Sequence, residues 1–246
     1  NFFCNTPMCI FLGAYMSMGI GIGMWYGLIF LYVDGYLDLG KDFAQMFLVA
    51  FVVGIFATPI WCKISMQIGK KITMCSALLV IVFSFIYTYM LSPGEVNFWE
   101  LLMLKVINTI GAACVAAMTP AILSEIIDYS SWKFRTENTA MYFSVYGFLS
   151  KANLAIGAGL GLAIAGWYGF DATINTQSTE SVFGLLIAMT ILPSVFILIA
   201  IALILLNPIN ARRHGIIRRC LDVRSTRIKS DIARDKLSAL TVKMAV

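Results

Sequence analysis

Charge is what this sequence has least of. Asp, Glu, Lys and Arg together make up 13% of its 246 residues, where a soluble domain carries about a quarter. Histidine is scarcer still: His214, near the C-terminus, stands alone, which excludes a His-built metal centre in the body of the chain. Six cysteines, at positions 4, 9, 62, 75, 114 and 220, are scattered singly with no CxxC pair. That pattern fits buried or inert thiols rather than metal ligands or disulfides. No nucleophile–base pair or metal cluster falls within the apolar runs, which argues against a membrane enzyme and predicts no cofactor. A cleavable leader is also missing, because the first apolar run is too long and lacks a small-residue cleavage site. Beginning with Asn1 rather than Met, the chain is expected to be a piece of a longer polypeptide.

What the sequence has instead is apolar surface. Hydrophobic residues make up 60% and the mean hydropathy is +0.85, the composition of a membrane protein. Six runs near residues 8–33, 44–62, 72–91, 99–123, 141–168 and 182–206 are each long enough to span. In lipid such a run satisfies its own backbone as a helix, so the fold class is an all-α membrane protein with six transmembrane helices. The domain division is a six-helix bundle over residues 1–210 and a basic tail over 211–246. Of 18 Lys and Arg, ten lie after Pro208 against three acids, so the basic excess belongs to the tail.

The loops set the topology. The second loop, Lys63 to Lys71, has three lysines and no acid, and the fourth has Lys133 and Arg135. The first carries Asp34, Asp38 and Asp42 with one Lys41; the third and fifth have Glu95, Asp171 and Glu180 and no basic residue. By the positive-inside rule loops two and four and both termini are cytoplasmic, in a plasma or bacterial inner membrane. Basic pairs at Arg212-Arg213 and Arg218-Arg219 suit anionic lipid at the membrane surface. Ile228, Ile232, Leu237 and Leu240 suggest an amphipathic helix lying on it. No motif supports nucleic-acid binding.

Small residues and prolines mark packing and bends. Gly23 and Gly27 in the first run, and Gly157 and Gly161 in the fifth, stand four apart, the spacing that lets helix backbones approach. The GIGIG run around Gly21 lacks the strand–turn–helix setting of a nucleotide loop. Pro59, Pro120 and Pro193 each remove a backbone donor and favour a kink.

Lys151 is the strongest candidate for function. It lies eleven residues past Ala140, roughly 16 Å deep at about 1.5 Å per residue, near the middle of a hydrocarbon core about 30 Å thick. A charge there costs at least about 2.5–3.5 kcal/mol and normally faces a bundle interior with a partner. Snorkelling is the bland alternative, but the side chain reaches only roughly 6 Å. Burial disfavours the charged form unless a carboxylate compensates, and Glu100, Glu125 and Asp128 all belong to helix ends. The counter-ion is therefore expected from another polypeptide segment. Lys105, about six residues inside the fourth run, and Asn108 are candidate substrate contacts, with snorkelling outward open for the lysine. Tyr142 and Tyr146 share the helix of Lys151 and offer rings to stack on a sugar, as do Trp25, Tyr26 and Tyr32. Interfacial belts are the alternative for such rings. Glu125, Asp128, Lys133, Arg135 and Glu137 form either a solvated loop or a salt-bridge cluster that locks and releases two bundles, with Lys63, Lys70 and Lys71 within reach of joining it.

The series Ser124-Glu125-Ile126-Ile127-Asp128-Tyr129, then Trp132-Lys133, Arg135, Glu137 and Lys151, resembles the glycoside–pentoside–hexuronide cation symporters (melibiose- and glucuronide-permease-like) of the major facilitator superfamily. The stretch from Pro59-Ile60-Trp61 to Gly69-Lys70-Lys71 is similar to their loop between helices eight and nine. The resemblance covers roughly residues 8–210 and aligns the six runs with helices seven to twelve, the C-terminal bundle of a twelve-helix transporter. It implies a sugar or glycoside bound midway across the membrane, with a coupling Na⁺ or H⁺ held mainly by carboxylates of an N-terminal six-helix half. Lys151 matches the lysine that links the cation and sugar sites. The sequence departs from the family in having Tyr146 and Gly147 where polar sugar-binding side chains stand, and Glu125 for the usual aspartate. Gly111 to Ala117 also lacks the sugar-stacking tryptophan. The function implied is cation-coupled sugar transport by alternating access. The alternatives are a lysophospholipid or other amphiphile carrier, and a non-transporting truncated membrane protein.

Overall fold

Backbone groups in hydrocarbon have no water to bind, and helices are the way this chain meets that demand. The computed structural model describes residues 5–37, 39–91, 93, 96–135, 138–171, 178–208, 215–224 and 226. It contains α1 (Thr6–Gly35), a 3-10 turn (Gly40–Asp42), α2 (Phe43–Ile68), α3 (Lys70–Tyr89), α4 (Phe98–Phe134) and α5 (Thr139–Trp167). Then follow α6 (Thr179–Leu186), a π-helical turn (Ile187–Ile191) and α7 (Leu192–Leu206), stacked as one span. Six stretches are thus long and apolar enough to cross a membrane, as the six runs predict. In the basic tail residues 215–224 are helical. The expected amphipathic helix at Ile228–Leu240, the basic pair Arg212-Arg213, and Asp38, Glu95 and Glu137 lie outside the described residues.

Two elements differ from expectation. Residues 124–134 were expected as a helix end and loop, yet α4 continues to Phe134 and stops where Arg135 turns left-handed at φ 58°. No Gly or Pro interrupts this segment, so nothing in it ends a helix. Glu125, Asp128 and Lys133 are therefore helical, and the loop shrinks to a few residues. The sixth span runs on through a π-helical turn instead of as an α-helix simply kinked at Pro193. Pro193 has no N–H and its ring crowds the carbonyl four residues earlier, and the wider π turn just ahead of it relieves that crowding. Thr190 and Ser194 donate to Leu186 O and Thr190 O, each at 2.6 Å, across this turn. Pro59 and Pro120 stay inside α2 and α4. Each follows a threonine (Thr58, Thr119) that donates to the carbonyl four residues back, at 3.0 and 2.6 Å, an arrangement that bends helices.

The main contacts between spans follow the order α5, α1, α6–α7, α3, α4, α2, and α2 and α4 also reach α1 near Trp25 and Val33. In α2 and α5 only 22% of the most apolar window is buried, against 39–56% in the other four, which makes them the least enclosed spans. The seam between α5 and α1 is built on glycine. A Cβ on Gly157 would lie 2.4 Å from Ile20 O and 2.8 Å from Gly23 Cα, and one on Gly27 would lie 2.8 Å from Ala158 Cα. Contacts climb together along both helices, Tyr15 with Tyr146, Gly19 with Asn153, Gly23 with Gly157, so the two run parallel. On its other face α1 meets the sixth span, where Ser17 Oγ donates to Phe196 O at 2.7 Å. One residue, Gly69 at φ 89°, joins α2 to α3; an L side chain resists that conformation.

Candidate functional site

Lys63, Lys70, Lys71 and Lys133 mark one end of the bundle and Asp34, Asp42 and Glu100 the other. Trp132 is exposed at the lysine-rich end, and Trp99 and Trp167 at the acidic end, where amphipathic rings meet headgroups.

Lys151 lies twelve residues into α5, roughly 18 Å from its start, and is exposed on the open side of this little-enclosed helix. It meets no carboxylate among the described residues, and Phe148 and Leu154 beside it are exposed too. Asn153, two residues on, points the opposite way. It is 2% exposed and its Nδ2 donates to Tyr15 O at 3.2 Å, while its Oδ1 has no donor among the described residues. Tyr146 is half-buried against Tyr15, ring centroids 5.0 Å apart, and Ser150 Oγ, one turn further on, donates to Gly147 O at 2.9 Å. The structure thus gathers Tyr15, Tyr146, Ser150 and Asn153 into a polar strip on the α1–α5 seam, with Lys151 on the adjoining open face. Tyr142 stands apart. Buried, it hydrogen-bonds Ser130 Oγ at 2.7 Å, tying α5 to α4 roughly 13 Å along the helix from Lys151.

Lys105 and Asn108 both lie on the buried side of α4 but face different neighbours. Asn108 Nδ2 donates to Ser84 Oγ of α3 at 3.4 Å. Lys105 turns toward α1 and α2, its Nζ 3.6 Å from the centroid of Phe47 and 5.2 Å from that of Tyr26. Although close to the acidic end it does not snorkel: it is 5% exposed and Nζ has no acceptor among the described residues. Ring faces contribute about 2 kcal/mol to a desolvated cation, less than the several kcal/mol lost on burying an ion. The cage alone does not offset the burial.

At the lysine-rich end, Lys70 Nζ lies 2.8 Å from Glu125 Oε1 and 3.3 Å from Ala121 O. This charge pair joins α3 to α4 within the bundle. Lys71 Nζ donates to Asn207 O and Asn207 Nδ2 to Pro7 O, linking α3, α7 and α1. Lys133 folds back over Tyr129 and Phe134, 5.7 and 5.3 Å from their centroids. Asp128 is half-buried, and Arg135 is exposed at the helix end.

A family model described as "MFS/sugar transport protein" matches residues 1–211. The chain belongs to this family. The match runs through all six spans. The family is one of transporters, not enzymes. Among curated proteins, one named "Uncharacterized symporter YnaJ" from Bacillus subtilis (strain 168) is 22% identical over 208 residues, covering 84% of this chain and 44% of that protein. The chain therefore spans less than half the length of that relative.

Asn153, Tyr15 and Trp25 belong to the polar interior, a grouping that their positions along the sequence do not reveal. The available signal was Asn153 itself, since an amide inside an apolar run marks an interhelical hydrogen bond. The sequence offers Trp25 as a stacking ring; the burial of its indole N–H comes from the fold.

Proposed function

We propose that this chain is the C-terminal six-helix half of a secondary transporter that carries a sugar or glycoside by alternating access, coupled to Na⁺ or H⁺. The single observation that carries this reading is Lys151: a cation in mid-span, exposed on α5, one of the two least enclosed spans, with no carboxylate beside it among the described residues. A second six-helix half packed on that face would bring carboxylates, the coupling ion and the rest of the substrate site. Family membership and the name "symporter" on a relative of more than twice the matched length agree with that arrangement. Tyr146, on the α1–α5 seam adjoining the open face of Lys151, is the stacking ring of this proposal, while Tyr142, Asn108 and Lys105 take positions in the surrounding shell. Glu125, Asp128, Lys133 and Arg135 would form the gate on the cytoplasmic side, with Lys70 as the partner of Glu125. The test is accumulation of labelled sugars in proteoliposomes under an imposed Na⁺ or H⁺ gradient. Gradient-driven uptake that Lys151→Ala abolishes, with insertion intact, supports the reading; full accumulation in that variant ends it.

One observation favours a second reading, an amphiphile carrier. Between α3 and α4 at the acidic end lies a groove of about 470 Å³, walled by Phe83, Ile86, Met90, Met103 and Ile107. Glu100 also lines it and accepts a hydrogen bond from Tyr87 at 2.5 Å. Apolar walls with a carboxylate among them suit a chain with a polar head. Uptake of a lysophospholipid that excess sugar does not inhibit would select this reading over the first.

A further inference from the structure

Past the sixth span the chain forms a short helix over residues 215–224. Its side chains sort by position around the axis, at about 100° per residue. Ile217 and Leu221 share one side, where Ile217 is buried and Leu221 half-buried. Arg218 and Asp222 lie on the opposite side. Ile216, Cys220 and Val223, four and three residues apart, form a second apolar stripe, and all three are exposed, Ile216 by 60% and Val223 by 55%. Arg219 borders this stripe along one edge and Arg224 along the other. Neither arginine has an ion-pair partner among the described residues. Half of the apolar surface of this helix is thus taken up by the protein, and the other half is open.

The helix cannot stray far from the bundle. The sixth span ends at Leu206, and Lys71 donates to Asn207 O, so the chain emerges at the lysine-rich end. The nine steps from Leu206 to Gly215 reach at most roughly 30 Å. That keeps the helix near the level where exposed Trp132 marks the headgroups.

At that level an apolar stripe edged by arginines has few partners that use all of it. A nucleic acid would take the arginines and leave the stripe in water. An apolar protein surface would take the stripe and leave the arginines unpaired. An anionic lipid surface takes both, because the apolar side chains enter the acyl boundary while the guanidinium groups stay level with the phosphates. Charge complementarity extends past the helix, since ten Lys and Arg stand against three acids after Pro208, and basic segments beside a span are drawn to an anionic leaflet.

We propose that residues 215–224 are a membrane anchor, with Ile216, Cys220 and Val223 seated in an anionic lipid surface and Arg219 and Arg224 on its phosphates. Ile217 and Leu221 hold the same helix to the protein, so the lysine-rich end of the bundle is tied to the charge of its leaflet. The inference stands independently of the transported substrate and of any role for Lys151.

The test uses the full chain reconstituted in nanodiscs, either of phosphatidylcholine alone or of an equal mixture of phosphatidylcholine and phosphatidylglycerol. Hydrogen–deuterium exchange over residues 215–224 is read by mass spectrometry, as the ratio of rates in the two compositions. Exchange should be about tenfold slower in the anionic discs, and raised salt should diminish the difference by screening. Arg219→Gln with Arg224→Gln should lower the ratio several-fold, as should Ile216→Ser with Val223→Ser, in which every charge is kept. All four side chains are exposed, so the spans keep their packing in both variants. Equal exchange in the two compositions overturns the anchor and leaves the stripe to a protein partner. A ratio unchanged in the arginine variant, or in the serine variant, overturns it as well, the latter meaning that charge alone attracts the tail.

Discussion

Lys105 on α4 and Lys151 on α5 are both single cations within apolar spans, yet the bundle treats them oppositely. Lys105 is enclosed by three helices and set against two aromatic rings. Lys151, on a helix with little buried surface, faces outward from the bundle. Both carry the same local cost, a cation within hydrocarbon. One is set against aromatic rings of its own bundle; the other faces outward from it. A lysine held within its bundle fastens helices, whereas one presented at an open edge is available to a partner or a ligand.

The comparison can be broken most severely at Lys151. Lys151→Ala is expected to reduce gradient-driven accumulation to the level of protein-free liposomes, with membrane insertion unchanged by protease protection. Lys105→Met should by contrast leave most accumulation in place, and equal losses in the two variants would erase the distinction. Next in size is Gly157→Val on the seam that positions α5. With backbone atoms 2.4–2.8 Å from the new Cβ, overpacking should cost about 1–3 kcal/mol. The loss reads out as a lower unfolding temperature and weaker crosslinking between cysteines placed on α1 and α5. A smaller effect, of opposite sign, is expected for Lys105→Met, which removes a buried cation without an acceptor among the described residues. Replacing buried ionic groups with apolar ones of similar volume is neutral or stabilising, here by about 1 kcal/mol, measured by thermal unfolding. Smallest of all is Glu125→Gln, which weakens a pair whose lysine is 34% exposed. Its expected cost is about 1 kcal/mol or less, and a loss well above that would show the pair to be more than a surface tie.

Parts of this picture were legible along the chain and parts were not. The GxxxG pairs Gly23–Gly27 and Gly157–Gly161 announce close approach. That Gly157 seats on Ile20 O and Gly23, and Gly27 on Ala158, could not be read without the helices' rotation. Pro193 announces a disturbance, but that it takes the form of a π turn, with Pro193 O seated so close to Gly21 that a Cβ there would lie 2.9 Å away, is visible only in the fold. Tyr142 shares a helix with Lys151 and so invited a shared role. Its hydroxyl is instead used by Ser130, a partner across the turn between α4 and α5. Asn108 followed the same course, drawn to Ser84 on α3 rather than to a ligand shared with Lys105. In the gate cluster the acids and bases were visible, while the pairing of Glu125 with Lys70 required α3 and α4 to lie side by side.

By itself the sequence determined the six spans, because transfer to hydrocarbon and backbone satisfaction are sums over about twenty neighbouring residues. It determined equally that Lys105 and Lys151 lie within those spans, since depth follows from position along a helix. Tertiary structure alone decided which lysine is enclosed and which is presented. That depends on the rotation of each helix about its axis, set by contacts such as Gly157 on Gly23 and Phe47 on Lys105 between residues far apart in the chain.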